Sequence, residues 1–204
     1  MAITKSEKKT LLDNAYRDFM GPEVIPVFGE GNLNAKIVFI GEAPGSEEEK
    51  LGRPFVGRAG KNLSEFLELA KVPRSSVYIT NAVKFRPTKH NPNTGRTLNR
   101  TPTLIETASH REWLLSELEI IQPQLVVTLG NTPLTALLGT DCPKISQVHG
   151  LVIAFQDANH SLHFDIMPFF HPAAIIYRRA LLAEYHKDLE KFASYIAEHF
   201  PQQN

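Results

Sequence analysis

The chain holds one cysteine, Cys142, among 204 residues. That excludes an intrachain disulfide framework and fits a reducing compartment, so a cytoplasmic location is expected. Long apolar runs are absent too. The N-terminal stretch from Met1 to Thr10 is basic, but it leads into the broken amphipathic pattern of Leu11 to Met20 rather than an uninterrupted apolar segment. Neither a signal peptide nor a membrane span is expected. Net charge is lacking as well: 22 Lys and Arg balance 22 Asp and Glu, so no global basic field advertises a polyanionic partner. Glycine fingerprints for nucleotides are incomplete. Gly57-Arg58-Ala59-Gly60-Lys61-Asn62 lacks both the earlier glycine and the Ser or Thr after lysine of a P-loop, and Gly29-Glu30-Gly31 lacks the third glycine of a dinucleotide site. No cofactor is expected. There is no internal repeat, and the length suits one domain over residues 1–204, with 42% apolar residues to furnish its core.

What is present is a strand-loop-helix pattern of unusual composition. Ala35 to Ile40 reads as a buried strand, and the loop from Gly41 to Gly60 contains five glycines, two prolines, Glu42, an acidic run and Phe55. Loops at the strand ends of open α/β sheets form binding crevices, and such a glycine-rich path lets backbone approach a ligand. Further apolar runs at Val77 to Val83, Leu125 to Leu129 and Phe164 to Phe170 read as strands. Helical periodicity fills the intervals at Gly60 to Ala70, Ile105 to Ile121 and Asn131 to Leu138, and a long closing helix is expected from Ala173 to Phe200. This alternation predicts an α/β fold of three layers, α/β/α, around a central, mainly parallel four-stranded sheet. Leu151 to Phe155 and Leu162 to Asp165 read as a hairpin arm before the last parallel strand. Thr88 to Leu98 has no apolar period and reads as a loop or arm.

Charge is uneven although its sum is zero. From Leu69 to Ile105 the chain carries Lys71, Arg74, Lys84, Arg86, Lys89, Arg96 and Arg100 without one Asp or Glu. Such a segment either tracks phosphates or forms a solvated face balanced by acids elsewhere. His160 and His163 sit in a polar turn and read as surface residues, so no metal site is expected.

The words Gly41 to Gly45 (GEAPG), Arg53 to Gly60 (RPFVGRAG), Val77 to Pro87 (VYITNAVKFRP), Leu125 to Gly130 (LVVTLG) and His171 to Ala174 (HPAA) resemble, in order, the motifs of the uracil-DNA glycosylase superfamily. The resemblance is greatest to its family 4 enzymes. It implies hydrolysis of the N-glycosidic bond of deoxyuridine in uracil-containing DNA by a monomeric repair enzyme, with base flipping. Glu42 would orient water and stabilise the positive sugar, and His171 would donate to uracil O2 as negative charge develops. Phe55 would stack on the uracil ring, and the Asn81 amide would match its O4 acceptor and N3 donor. Gly41, Ala43, Pro44 and Gly45 would line the substrate pocket. Lys84, Arg86, Lys89, Arg96, Arg100 and Arg178 would meet DNA. Taken singly, each residue has a plainer reading: a solvated carboxylate for Glu42, a loop anchor for Phe55, a turn cap for Asn81, a helix start for His171-Pro172.

Two features depart from the family pattern. Family 4 enzymes hold an iron–sulfur cluster on four cysteines, whereas this chain has Phe85 in its KFRP word, His110 before Trp113, and no cysteine before Gly41. The stretch 88–98 also looks inserted before Asn99-Arg100-Thr101-Pro102. Two further functions therefore stand beside uracil excision: a nucleic-acid-binding or modified-base-recognising member with weakened catalysis, and a hydrolase of free nucleosides or nucleotides.

Overall fold

A computed structural model describes residues 3–172, 174 and 179–200. Its strands are β1 (Glu30–Gly31), β2 (Ile37–Gly41), β3 (Tyr78–Asn81), β4 (Thr88–His90), β5 (Thr97–Asn99), β6 (Leu125–Leu129), β7 (Ile153–Asp157) and β8 (Leu162–Phe169). Its described helices are α1 (Lys5–Met20), α2 (Ser46–Leu51), α3 (Arg58–Leu69), α4 (Leu104–Ile121), α5 (Asn131–Leu138), α6 (Ile145–Val148) and α7 (Leu182–His199), joined by short 3₁₀ turns.

The main sheet has the order β1-β3-β2-β6-β8-β7. Its centre, β3-β2-β6-β8, is parallel, and antiparallel β1 and β7 close its edges. Parallel strands covered on both faces must be apolar throughout, and β2 and β6 are buried at every position. Alternation then deals their side chains to two layers. Phe39, Leu125 and Val127 meet Phe66 of α3 and Phe192 of α7 on one face, while Val38, Ile40 and Val126 meet Leu114 and Leu118 of α4 and Leu134 of α5 on the other. This is the expected three-layer α/β fold.

Chain order fixes where a ligand fits. From β2 the chain moves to β3 on one side and later to β6 on the other, so the direction of winding reverses between β2 and β6. A crevice opens beyond the carboxyl ends of strands at such a reversal.

Some boundaries differ from the sequence reading. The expected hairpin arm is present as β7-β8, but its second half and the last parallel strand are one continuous strand, β8, which pairs with β7 along its first half and with β6 along its second. The closing helix α7 begins at Leu182 after a 3₁₀ turn, Arg179–Leu181. The 88–98 stretch is an ordered two-stranded hairpin, β4-β5, and the Gly41 to Gly60 loop contains α2.

Candidate active site

Four parallel strands each end beside the same cleft. Glu42 follows β2, Asn81 ends β3, Thr132 lies just beyond β6 in the first turn of α5, and His171 follows β8; all four line a cleft of about 980 Å³ together with Phe55. Ala43 and Gly45 line it as well, while Gly41 and Pro44 are buried behind its wall.

Glu42 is fixed from across the crevice. Thr132 Oγ1 donates to its Oε2 at 2.7 Å, and the Glu42 carbonyl accepts from the Val83 amide at 3.1 Å. The carboxylate thus spans the boundary between β2 and β6, with its second oxygen available to a nucleophile or a cation. Thr132 went unnoticed in the sequence; its only signal is its place two residues after a strand-ending glycine.

Phe55 and Asn81 converge on Gly41. A Cβ at Gly41 would stand 2.5 Å from both Asn81 Oδ1 and Phe55 Cζ, so the missing side chain lets ring and amide close over the strand end. The Phe55 ring also lies nearly parallel to the His171 imidazole, with centroids 6.4 Å apart and planes 28° from each other.

Phe55 holds a left-handed backbone, φ +53°, which is strained for a bulky residue and persists only where its surroundings over-determine it. Glu48 is the chief restraint. Its Oε1 accepts from the amides of Val56 (3.1 Å) and Gly57 (2.8 Å), and its Oε2 accepts from the Gly45 amide (3.2 Å). Arg74 donates to the Phe55 carbonyl at 3.3 Å. Gly60 completes the fit, because a Cβ there would overlap that carbonyl. Within the acidic run of the sequence, Glu48 is the buried member that ties the loop together.

His171 sits on the far wall beside Gly130, whose φ of +101° carries the backbone past it. Burial lowers its basicity below the ordinary histidine value, so the neutral imidazole is favoured at pH 7.

The basic segment divides sharply. Lys84 is interior, not a DNA contact: its ammonium donates to Glu117 Oε2 (2.6 Å), Thr80 Oγ1 (2.6 Å) and the Asn81 carbonyl (2.8 Å). The expectation failed because α4 carries a buried carboxylate, Glu117, which also accepts from the Tyr78 hydroxyl at 2.8 Å. Arg86 is largely covered and binds Glu49 at 3.0 Å and Asn99 Oδ1 at 2.7 Å. Arg100 forms a two-pronged pair with Glu106 at 2.7 and 2.6 Å. Lys89 and Arg96 are exposed on the β4-β5 hairpin. Arg178, with Ile175 to Tyr177, lies outside the described residues. His160 is not a surface residue: it is buried between Asp157 (3.1 Å) and Glu112 (2.8 Å).

An iron–sulfur cluster does not fit the residues present. The two ligand positions implied by family 4 resemblance hold rings that pack on each other, Phe85 and His110, with centroids 5.4 Å apart. Cys142 lies elsewhere, against Thr135 Oγ1 of α5 at 3.5 Å. Among the described residues, no group of three or more His, Cys, Asp or Glu is arranged to hold a metal ion. No helix among them is long and apolar enough to cross a membrane.

The family model of the Uracil DNA glycosylase superfamily matches residues 28–197. The chain is similar to the Type-4 uracil-DNA glycosylase of Thermotoga maritima, 42% identical over 172 residues, covering 83% of this chain and 82% of that protein. It is 39% identical over 166 residues to the Type-4 uracil-DNA glycosylase of Archaeoglobus fulgidus, covering 80% and 78% of the two chains. It is 36% identical over 167 residues to that of Pyrobaculum aerophilum, covering 80% of each. On the match across most of its length, the chain belongs to the uracil-DNA glycosylase superfamily.

Proposed function

We propose that this protein excises uracil from DNA by hydrolysing the bond between uracil N1 and deoxyribose C1′, the first step of base excision repair. One observation carries the reading: Glu42, Asn81, His171 and Phe55, from separate strand ends and loops, share one cleft at the sheet's reversal point. A base inside a duplex cannot reach that cleft, so the nucleotide is flipped out. Phe55 stacks on the uracil, a contact worth about 1–3 kcal/mol per base in nucleic-acid sites. The Asn81 amide donates to O4 and accepts from N3–H, a pattern that cytosine reverses.

As the C1′–N1 bond lengthens, its electron pair moves onto the uracil and positive charge develops on the sugar. Neutral His171 donates to O2 of the departing anion. Glu42, held by Thr132, stabilises the cationic sugar and orients a water whose oxygen bonds to C1′ while its proton passes to the carboxylate. The products are free uracil and an abasic site. Burial suits a neutral donor here, because an imidazolium would have to be desolvated beside the ring of Phe55.

The enzyme works without a cofactor, as a cytoplasmic monomer of one domain. Incubation with an oligonucleotide bearing a single uracil, followed by alkali, yields strand scission at the abasic site if this reading is right. Retained binding without uracil release would leave a recognition protein instead.

A further inference from the structure

We infer that the β4-β5 hairpin is a clamp for the sugar–phosphate backbone, gripping nucleotides to one side of the flipped one; this rests on the uracil-excision reading. The hairpin grows out of the cleft wall. Asn99 at its root lines the cleft, and beyond it nearly every residue from Thr88 to Leu98 is exposed. It is nonetheless built rather than slack. Its strands pair Thr88↔Asn99, Lys89↔Leu98 and His90↔Thr97. The tip is closed by the Asn91 carbonyl, which accepts from the Gly95 amide at 2.9 Å, and by Asn91 Oδ1, which accepts from the Asn93 amide at 2.9 Å. At the root, Arg86 holds Asn99 and Arg100 donates to the Thr88 carbonyl at 3.1 Å.

Charge selects the partner. Residues 88–99 contain no acid, and the two root arginines are already neutralised by Glu49 and Glu106. Lys89 and Arg96 form no ion pair among the described residues, so the projecting part of the arm is net positive. Alternation puts Thr88, His90, Thr97 and Asn99 on one face, a row of hydrogen-bonding side chains that continues the cleft wall outward. Lys89 leaves from the opposite face and Arg96 from beside the tip, both exposed. About half to two-thirds of protein–DNA hydrogen bonds go to phosphate oxygens and sugar, and hydroxyl, amide and basic side chains are among their donors. A paired strand of three residues reaches about 10 Å, equal to the rise of about three nucleotides along one strand.

The test replaces Lys89 to Leu98 by Asn-Gly, a two-residue turn that closes the Thr88↔Asn99 pair. Oligonucleotides with one uracil are extended on the 5′ or the 3′ side in single-nucleotide steps. For the unaltered protein, kcat/KM rises with length on one side only and levels off after about three nucleotides. In the shortened protein the ratio of long- to short-substrate kcat/KM collapses toward one, and the slope of log affinity against log salt flattens by about one unit per lost phosphate contact. A doubly charge-neutralised protein, Lys89→Gln with Arg96→Gln, keeps the arm's shape and should lose the slope alone. An unchanged length dependence and salt slope in the shortened protein overturns the inference. If the unaltered protein releases no uracil from any substrate, the excision reading fails separately, and fluorescence anisotropy on the same length series still decides: affinity gained with length and lost with the arm supports the clamp, and equal gains overturn it.

Discussion

Replacing Lys84 by Met should unfold this protein more readily than almost any other single change to a charged residue. Glu117 is 1% exposed, and its partners are Lys84 Nζ at 2.6 Å, the hydroxyls of Tyr78 and Thr80 at 2.8 Å each, and Lys9 at 3.6 Å. With Lys84 gone, the carboxylate stays buried with two neutral donors and one distant cation. Breaking a buried pair this way costs about 3–5 kcal/mol, because the remaining charge is uncompensated. For a domain of this size, each kcal/mol lowers Tm by roughly 2–4 °C, so a drop of about 6–20 °C is expected. Lys84→Met with Glu117→Gln should recover much of the loss: the amide is uncharged, its oxygen accepts from Tyr78, and its nitrogen donates to Thr80. Urea unfolding of the wild type, both single variants and the double variant gives the coupling directly. A Lys84→Met protein within about 1 kcal/mol of wild type, or an additive cycle, would refute the argument that this pair is an interior unit.

The chemistry makes its own demands. Glu42→Ala and His171→Ala should each keep affinity for uracil-containing DNA while slowing single-turnover excision, by about 10² to 10³-fold if His171 acts as one oxyanion-type donor; wild-type rates in both folded variants would exclude the assigned roles. Because burial favours the neutral His171 ring, the single-turnover rate should not fall between pH 6.5 and 8.5, and a loss across that window that vanishes in His171→Gln would mean that imidazolium is the donor. Burial alone would raise the Glu117 carboxyl, but Lys84, Lys9 and Tyr78 outweigh it and hold the group at about 2, against 4.5 ordinarily. The folded state therefore binds this proton less readily than the unfolded one, so the stabilisation is complete above about pH 4.5 and is lost as pH falls toward 2; acid titrations of wild type and Glu117→Gln should diverge there. Purified protein should contain no stoichiometric iron by elemental analysis, and visible iron–sulfur absorption would contradict the packing at Phe85 and His110.

The parts legible in the sequence were those with a local signature. β2 and β6 appear as unbroken apolar runs because both faces of each are covered, and Glu42, Asn81 and His171 fall where strand patterns stop. What stayed hidden depends on partners far along the chain. Thr132 reaches Glu42 across 90 residues, and Lys84 meets Glu117 across 33, so neither pairing leaves a periodic trace. Lys84 therefore read as one more surface cation in an acid-free segment, although Glu117, Glu49 and Glu106 supply the missing acids in space. The hairpin was hidden for another reason. Both of its faces are solvated, so it lacks the alternation that marks a half-buried strand, and its register comes from the Arg86 and Arg100 braces at its root.

The same distribution of partners shows what joins the elements behind the site. The family 4 resemblance puts two ligand positions of a cluster at Phe85, just beyond β3, and at His110 of α4, and here rings join those positions to each other and to α1. Tyr16 of α1 packs on Phe28, on His110 and on Trp113, and His110 packs on Phe85, with centroid separations of 5.4 to 5.7 Å. Contacts of this kind contribute about 0.5–1.5 kcal/mol each beyond burial, so four of them give a few kcal/mol. Lys84 and Phe85 are neighbours in the chain. One turns into the carboxylate behind Asn81, the other into the aromatic cluster, and the Lys84 carbonyl accepts from the Val27 amide at 2.7 Å. The strand end that presents Asn81 to the cleft is thereby fixed from behind by Lys84 on its own carbonyl and by packing one residue further on. That support consists of an ammonium on a carbonyl and of packed rings, so the position we assign to the Asn81 amide depends on Lys84 and Phe85.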